Sequence, residues 1–193
     1  MPDALNISSI GHLANRIGPF ILISFFVLSS LFNADIKGII FLGLLVINCF
    51  IAMAAGNSLP YAGTANSVCY GFNLTRNGPL SRLPLSINVY TFTFFYLVYI
   101  IGKYGLAESN VPILVLFPLV ILYHTWWIVS QTCSPLMYVL LSGGIGAVLG
   151  VLFSYAIDSS GIVELQYFNG IKHQDVCSRP SKQQFKCTSR KNV

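Results

Sequence analysis

Five apolar stretches divide the chain: Ile17–Phe32, Gly38–Ala55, Leu85–Ile101, Val111–Val129 and Leu136–Ile157. A helix that crosses a bilayer needs about 20 mainly apolar residues, with a working range of about 17–25. The second, fourth and fifth stretches reach that length alone, and the third does with its flanks. The first reaches it by continuing back through Ile10 and Leu13. No Asp, Glu, Lys or Arg interrupts any of the five. Backbone amides in hydrocarbon must be paired within their own segment, so each stretch predicts a helix. Membrane β-strands alternate apolar and polar residues, and these runs do not. The fold class expected is therefore all-α: a polytopic bundle of five spans over residues 1–157, then a short polar, basic tail over 158–193.

Composition sharpens this picture. Hydrophobic residues make up 54% and charged residues 9%, where a soluble domain carries about 25% charged. A chain of 193 residues has no room for a large soluble domain beside five helices. Met1–Arg16 is polar and no convincing cleavage pattern follows the first stretch, so that span is expected to act as the targeting signal itself.

The net charge of +5 is distributed unevenly. With five spans, the tail shares a membrane face with the first and third loops. That face carries Lys37, Lys103, Lys172, Arg179, Lys182, Lys186, Arg190 and Lys191, and the opposite face only Arg16, Arg76 and Arg82. The positive-inside rule puts the tail in the cytoplasm and the N-terminus in the lumen or outside. Two glycosylation sequons, at Asn6 and Asn73, fall on the luminal side. The tail reads either as a solvated or lipid-attracted flank or as a docking segment for a protein. Nucleic acid is not expected, because no binding fold is recognisable and few aromatics interleave the charges.

Within the spans, Ser142, Gly146, Gly150 and Ser154 recur every four residues on one face of the fifth helix, and Gly143 widens that groove. Small residues at this spacing let two helix backbones approach closely. An internal seam is favoured over an oligomer contact, although a second copy of the chain stays a candidate partner. Tyr96, Tyr99 and Tyr104, with Trp126 and Trp127, read as interfacial belts. Pro118 should kink or loosen the fourth helix. His124 and Asn48 are polar groups inside apolar stretches, which makes them functional candidates by default. Neither has an obvious carboxylate partner, so an interhelical hydrogen bond is the expected role. The absence of intramembrane charge argues against a pump or ion-coupled transporter.

The cysteines divide by face. Cys49 belongs to the bundle. Cys69 and Cys133 share the luminal side and can form a disulfide. Cys177 and Cys187 lie together in the tail, where a second disulfide is open; they are too few for a four-ligand zinc site unless His173 and another group join. The long connection from Gly56 to Pro84 holds Arg76, Arg82, Cys69 and two tyrosines but no His, Asp, Glu or Lys, so it offers no evident acid, base or metal site.

Two resemblances follow. The second and third spans flank the long loop, Leu83-Pro84-Leu85-Ser86-Ile87-Asn88 opens the third, and Cys133-Ser134-Pro135-Leu136-Met137-Tyr138-Val139 opens the fifth. This layout resembles the core of the type-2 phosphatidic acid phosphatase family, in which one His attacks a lipid phosphate and another protonates the leaving group. Laid onto this chain, the His that protonates the leaving group falls near Ile87 or Asn88 and the attacking His near Ser134. The resemblance thus implies a phosphatase-like core whose catalytic groups are replaced, a pseudoenzyme. The tail, Val176-Cys177-Ser178-Arg179-Pro180-Ser181-Lys182-Gln183-Gln184-Phe185-Lys186-Cys187, resembles the tails of multi-spanning membrane proteins of nucleocytoplasmic large DNA viruses such as iridoviruses and phycodnaviruses. That context implies an inner virion membrane, derived from host endoplasmic reticulum, beneath an icosahedral capsid. It also implies contact with capsid or other virion membrane proteins through the second loop or the tail, depending on which side faces outward; in the tail, Arg179, Lys182, Phe185 and Lys186 would make it.

The sequence expectation is therefore a structural protein of the lipid bilayer with no catalytic residues, no cofactor and no metal. Its rival is a divergent membrane lipid phosphatase.

Overall fold

A computed structural model describes residues 7–60, 81–161 and 165–167. Five long helices account for almost all of them: α1 (Ile7–Phe32), α2 (Lys37–Asn57), α3 (Leu85–Lys103), α4 (Val111–Ser130) and α5 (Leu136–Ser159). A 3₁₀ turn, Glu108–Asn110, precedes α4. Each long helix contains a stretch long and apolar enough to cross a membrane. The first span gains its length as anticipated, by continuing back beyond Ile17. α4 runs unbroken through Pro118.

Sharp turns join α1 to α2, α3 to α4 and α4 to α5, and the three are built alike. After α1, Ala34 adopts φ 52°, and the Asp35 N–H donates to the Ser30 carbonyl at 3.0 Å. After α3, Gly105 adopts φ 65°, and the Leu106 N–H reaches the Ile101 carbonyl at 2.9 Å. After α4, Thr132 adopts φ 53°, and the Cys133 N–H reaches the Ile128 carbonyl at 3.0 Å. These are Schellman caps, in which one left-handed residue turns the chain while the last helical carbonyls stay bonded. The α1–α2 turn is reinforced by the Ser30 hydroxyl, which accepts from the Gly38 N–H at 2.9 Å and lies 2.6 Å from the Asp35 carboxylate.

α3 is the central helix. Its span is 61% buried, against 11% for the span that contains α4. Its most extensive seam is with α5, and the fifth-span stripe explains why. Ser142, Gly146, Gly150 and Ser154 are all buried. A Cβ at Gly146 would lie 2.6 Å from the Asn88 carbonyl oxygen, and one at Gly150 2.5 Å from that of Phe92. Only glycine permits these backbones to come so close. On the other flank of α3, Phe26, Phe41, Phe92 and Tyr96 form an aromatic core with ring centroids 4.8–6.1 Å apart. Tyr96 was expected in an interfacial belt but is completely buried. Its ring completes the packing between α2 and α3, an apolar benefit that an interfacial position does not offer.

The outward faces are apolar: Phe20, Phe25 and Phe32 of α1, Leu119 and Leu122 of α4, and Leu140 and Leu152 of α5 are all exposed. Continuous apolar surface of this extent is abnormal in water and ordinary against lipid. The described helices are those of an integral membrane protein with a lipid bilayer environment.

Candidate functional site

Three helices meet near one end of the bundle at His124. The imidazole Nδ1 lies 2.6 Å from the Asn15 side-chain oxygen of α1. Its Nε2 lies 2.7 Å from the Ser86 hydroxyl of α3. A carboxamide oxygen can only accept, so Nδ1 carries the proton and Nε2 is left as the acceptor for the Ser86 O–H. His124 and Asn15 are buried, while Ser86 is partly exposed.

Local structure sets this geometry. Pro84 caps α3, which makes Ser86 the second helical residue. The Asn88 N–H makes the first helical bond, to the Pro84 carbonyl at 3.4 Å, so the amides of Leu85, Ser86 and Ile87 have no carbonyl within the helix to bond. The imidazole is held between aromatic rings. Tyr90 meets it edge-on at 5.3 Å, and Trp127 stacks on it at 6.3 Å with planes 16° apart. α1 approaches through Gly18, where a Cβ would overlap the Tyr90 hydroxyl. That close contact brings Asn15, almost one turn earlier, within reach of His124.

A second polar line crosses the bundle deeper in the spans. The Asn48 amide of α2 donates to the Asn88 side-chain oxygen. Asn88 in turn donates to the Ser142 carbonyl of α5 at 3.1 Å, and the Ser142 hydroxyl donates to the Pro84 carbonyl at 2.9 Å. Asn48 and His124 thus both make the interhelical bonds anticipated from their isolation in apolar sequence.

The opposite end carries a clasp. Asp158, in the last turn of α5, pairs with Lys103 of α3. Its carboxylate also accepts from the Tyr104 hydroxyl at 2.8 Å, from Tyr99 at 3.4 Å and from the Gln166 amide at 3.0 Å. The next residue, Tyr167, donates to the Phe26 carbonyl at 3.2 Å and packs on Phe26 and Phe41. Burial pushes the Tyr167 phenol above its ordinary pKa; the Ser29 contact opposes that shift and the Asp35 charge adds to it. Tyr99 and Tyr104, read from sequence as belt residues, act here as donors to this carboxylate.

The positions singled out in the sequence scatter over the molecule. Ser142, Gly146, Gly150 and Ser154 line the α3–α5 seam. Cys133 is disulfide-bonded and Cys49 is free. Cys69, Cys177, Cys187, Arg179, Lys182, Phe185, Lys186 and both sequon asparagines lie outside the described residues. Of the positions aligned with the phosphatase histidines, Asn88 is engaged on both sides by other helices, and the Ser134 hydroxyl is buried without a partner. Among the described residues no group of three or more His, Cys, Asp or Glu is placed to hold a metal. Sequence reasoning missed the meeting of Ser86 and Asn15 with His124. The three lie 38 and 109 residues apart, and no spacing rule connects them. The one available signal was His124 itself, a polar ring in an apolar helix. No family model matches this chain, and no curated protein or solved structure does either.

Proposed function

We propose that the chain is a structural integral membrane protein of a large DNA virus, anchoring capsid-associated proteins at an inner virion membrane. The observation that carries a structural role is the use of polar side chains within the spans. Asn15, Ser86, His124, Asn48, Asn88 and Ser142 all tie one helix to another. Such bonds fix helix rotation and depth, which a rigid anchor requires. The viral setting and the capsid partner rest on the tail resemblance alone. A phosphatidic acid phosphatase role has less support, because Asn88 cannot act as a general acid at neutral pH and is held in the seam.

The test is fractionation of purified particles combined with cross-linking. The protein is expected to stay with membrane through high salt and carbonate and to leave with detergent. Cross-links from Lys182 or Lys186 are expected to reach capsid components. Recovery in the soluble capsid fraction, or tail cross-links to lipid alone, would count against the anchor.

A further inference from the structure

We propose that Ser86 is an activated nucleophile for acyl transfer, with His124 as its general base and Asn15 as the positioning residue, acting on carboxylic ester carbonyls of membrane lipids. The proposal goes beyond the anchoring role and does not depend on it.

The geometry is that of a serine hydrolase relay. The hydroxyl lies 2.7 Å from Nε2, and Nδ1 lies 2.6 Å from an oxygen that fixes the tautomer. A nucleophile, a base in hydrogen-bond reach and a third group orienting that base are the parts such chemistry requires. Two features separate this arrangement from a plain helix tie. The base and its orienter are buried while the nucleophile is partly open. The nucleophile also sits in the first turn of α3, where the Leu85, Ser86 and Ile87 amides lack helical acceptors. Amides in that position can receive the negative oxygen that develops when the hydroxyl adds to a carbonyl.

Position along the spans points to the substrate. Asn15 begins the first span and Ser86 is the second residue of the third. Trp126, two residues from His124 on α4, is exposed, and tryptophan is enriched at the head-group level. Glycerolipid ester carbonyls lie at that level, whereas phosphate lies further out.

The steps balance without a metal or a redox partner. The Ser86 oxygen bonds the ester carbon as its proton passes to Nε2. The ester C–O bond then breaks, and His124 returns that proton to the departing alkoxide. Water attacks the acyl-serine through the same base, which releases a carboxylic acid and restores the hydroxyl.

Full-length protein in phosphatidylcholine vesicles would be treated with a fluorophosphonate probe and mapped by peptide mass spectrometry, with fatty-acid release measured in parallel. Ser86 is expected to label selectively and the vesicles to release fatty acid. Ser86→Ala should lose both. His124→Gln, which keeps a hydrogen-bonding side chain, should slow labelling by about 10²–10⁴-fold, the usual contribution of a general base. Asn15→Leu should slow labelling and Asn15→Asp should restore it, a rescue that loss of packing would not show. Ser86→Cys provides a fold-preserving check, since its thiol should alkylate faster than that of Cys49. Ser86 labelling no faster than other serines, or unaffected by His124→Gln, would overturn the proposal. Labelling without fatty-acid release would overturn the lipid ester as substrate.

Discussion

Ala34 and Thr132 hold backbone angles that usually belong to glycine. Gly105 and Gly161 reach the left-handed region without cost, but a side chain there costs about 1–2 kcal/mol, and a β-branched one is a marked outlier. Thr132 therefore carries strain at the α4–α5 turn, beside the disulfide-bonded Cys133. Asparagine tolerates this conformation better than threonine, so Thr132→Asn is expected to stabilise the protein by about 0.5–1 kcal/mol. Ala34→Gly should gain less, because added chain entropy in the unfolded state offsets part of the relief. Thermal unfolding in detergent, followed by helix content, would read both. A loss of stability in Thr132→Asn would mean that its methyl or hydroxyl group makes a contact worth more than the strain. These turns were hard to read from the sequence, since Asn33-Ala34-Asp35 and Gln131-Thr132-Cys133 lack the glycine that normally marks a Schellman cap. Tyr96 was misread for a related reason. Its residue type fits both an interface and an aromatic core, and only the rotation of α3 decides between them.

At the scale of elements, the small-residue stripe of α5 was legible because a four-residue repeat of Ser and Gly carries its own geometry. The centrality of α3 was not. Its sequence is no more apolar than that of its neighbours, and its burial comes from being covered on several sides at once. The Asn88 network was also hidden, since its partners Asn48 and Ser142 are 40 and 54 residues away. Two expectations test the seam. Gly150→Val places a branched side chain against the Phe92 carbonyl and the Tyr96 amide. Overpacking costs about 1–3 kcal/mol, and contact with immobile backbone puts this variant at the upper end, whereas Gly144→Ala, which meets nothing within 4 Å, should be near neutral. Asn88→Leu strands the Asn48 amide, whereas the Ser142 carbonyl keeps its helical partner within α5. An orphaned buried polar group costs about 1–3 kcal/mol, while single interhelical bonds in membranes average only about 0.6. The excess comes from the stranded partner, so adding Asn48→Leu should recover part of the loss. A double variant as unstable as the sum of both single changes would place the energy in packing instead.

Over the whole molecule, the two ends of the bundle are closed by different chemistry. Near Ser86, the ends of α2 and α5 are joined through a connection. The Tyr138 hydroxyl donates to the Pro60 carbonyl at 2.8 Å, and Cys133 is covalently bridged. At the other end no disulfide is seen among the described residues, and closure rests on Asp158. Lys103 and Asp158 form an ion pair, but the Lys103 side chain is 44% exposed and that of Asp158 only 4%. An exposed lysine contributes little to such a pair, typically below about 1 kcal/mol. The weight falls on the neutral donors Tyr104 and Gln166, which have the same carboxylate as acceptor. Lys103→Met should therefore change stability by less than about 1 kcal/mol. Asp158→Ala should cost about 1–3 kcal/mol and release residues 165–167 from Phe26 and Phe41. Asp158→Asn keeps an acceptor oxygen and should fall between the two. Hydrogen exchange separates these outcomes: Asp158→Ala should lose protection at Tyr167, while Lys103→Met keeps it. Equal losses in the two variants would show that the ion pair closes this end of the bundle, and that the hydroxyl and amide donors only follow it.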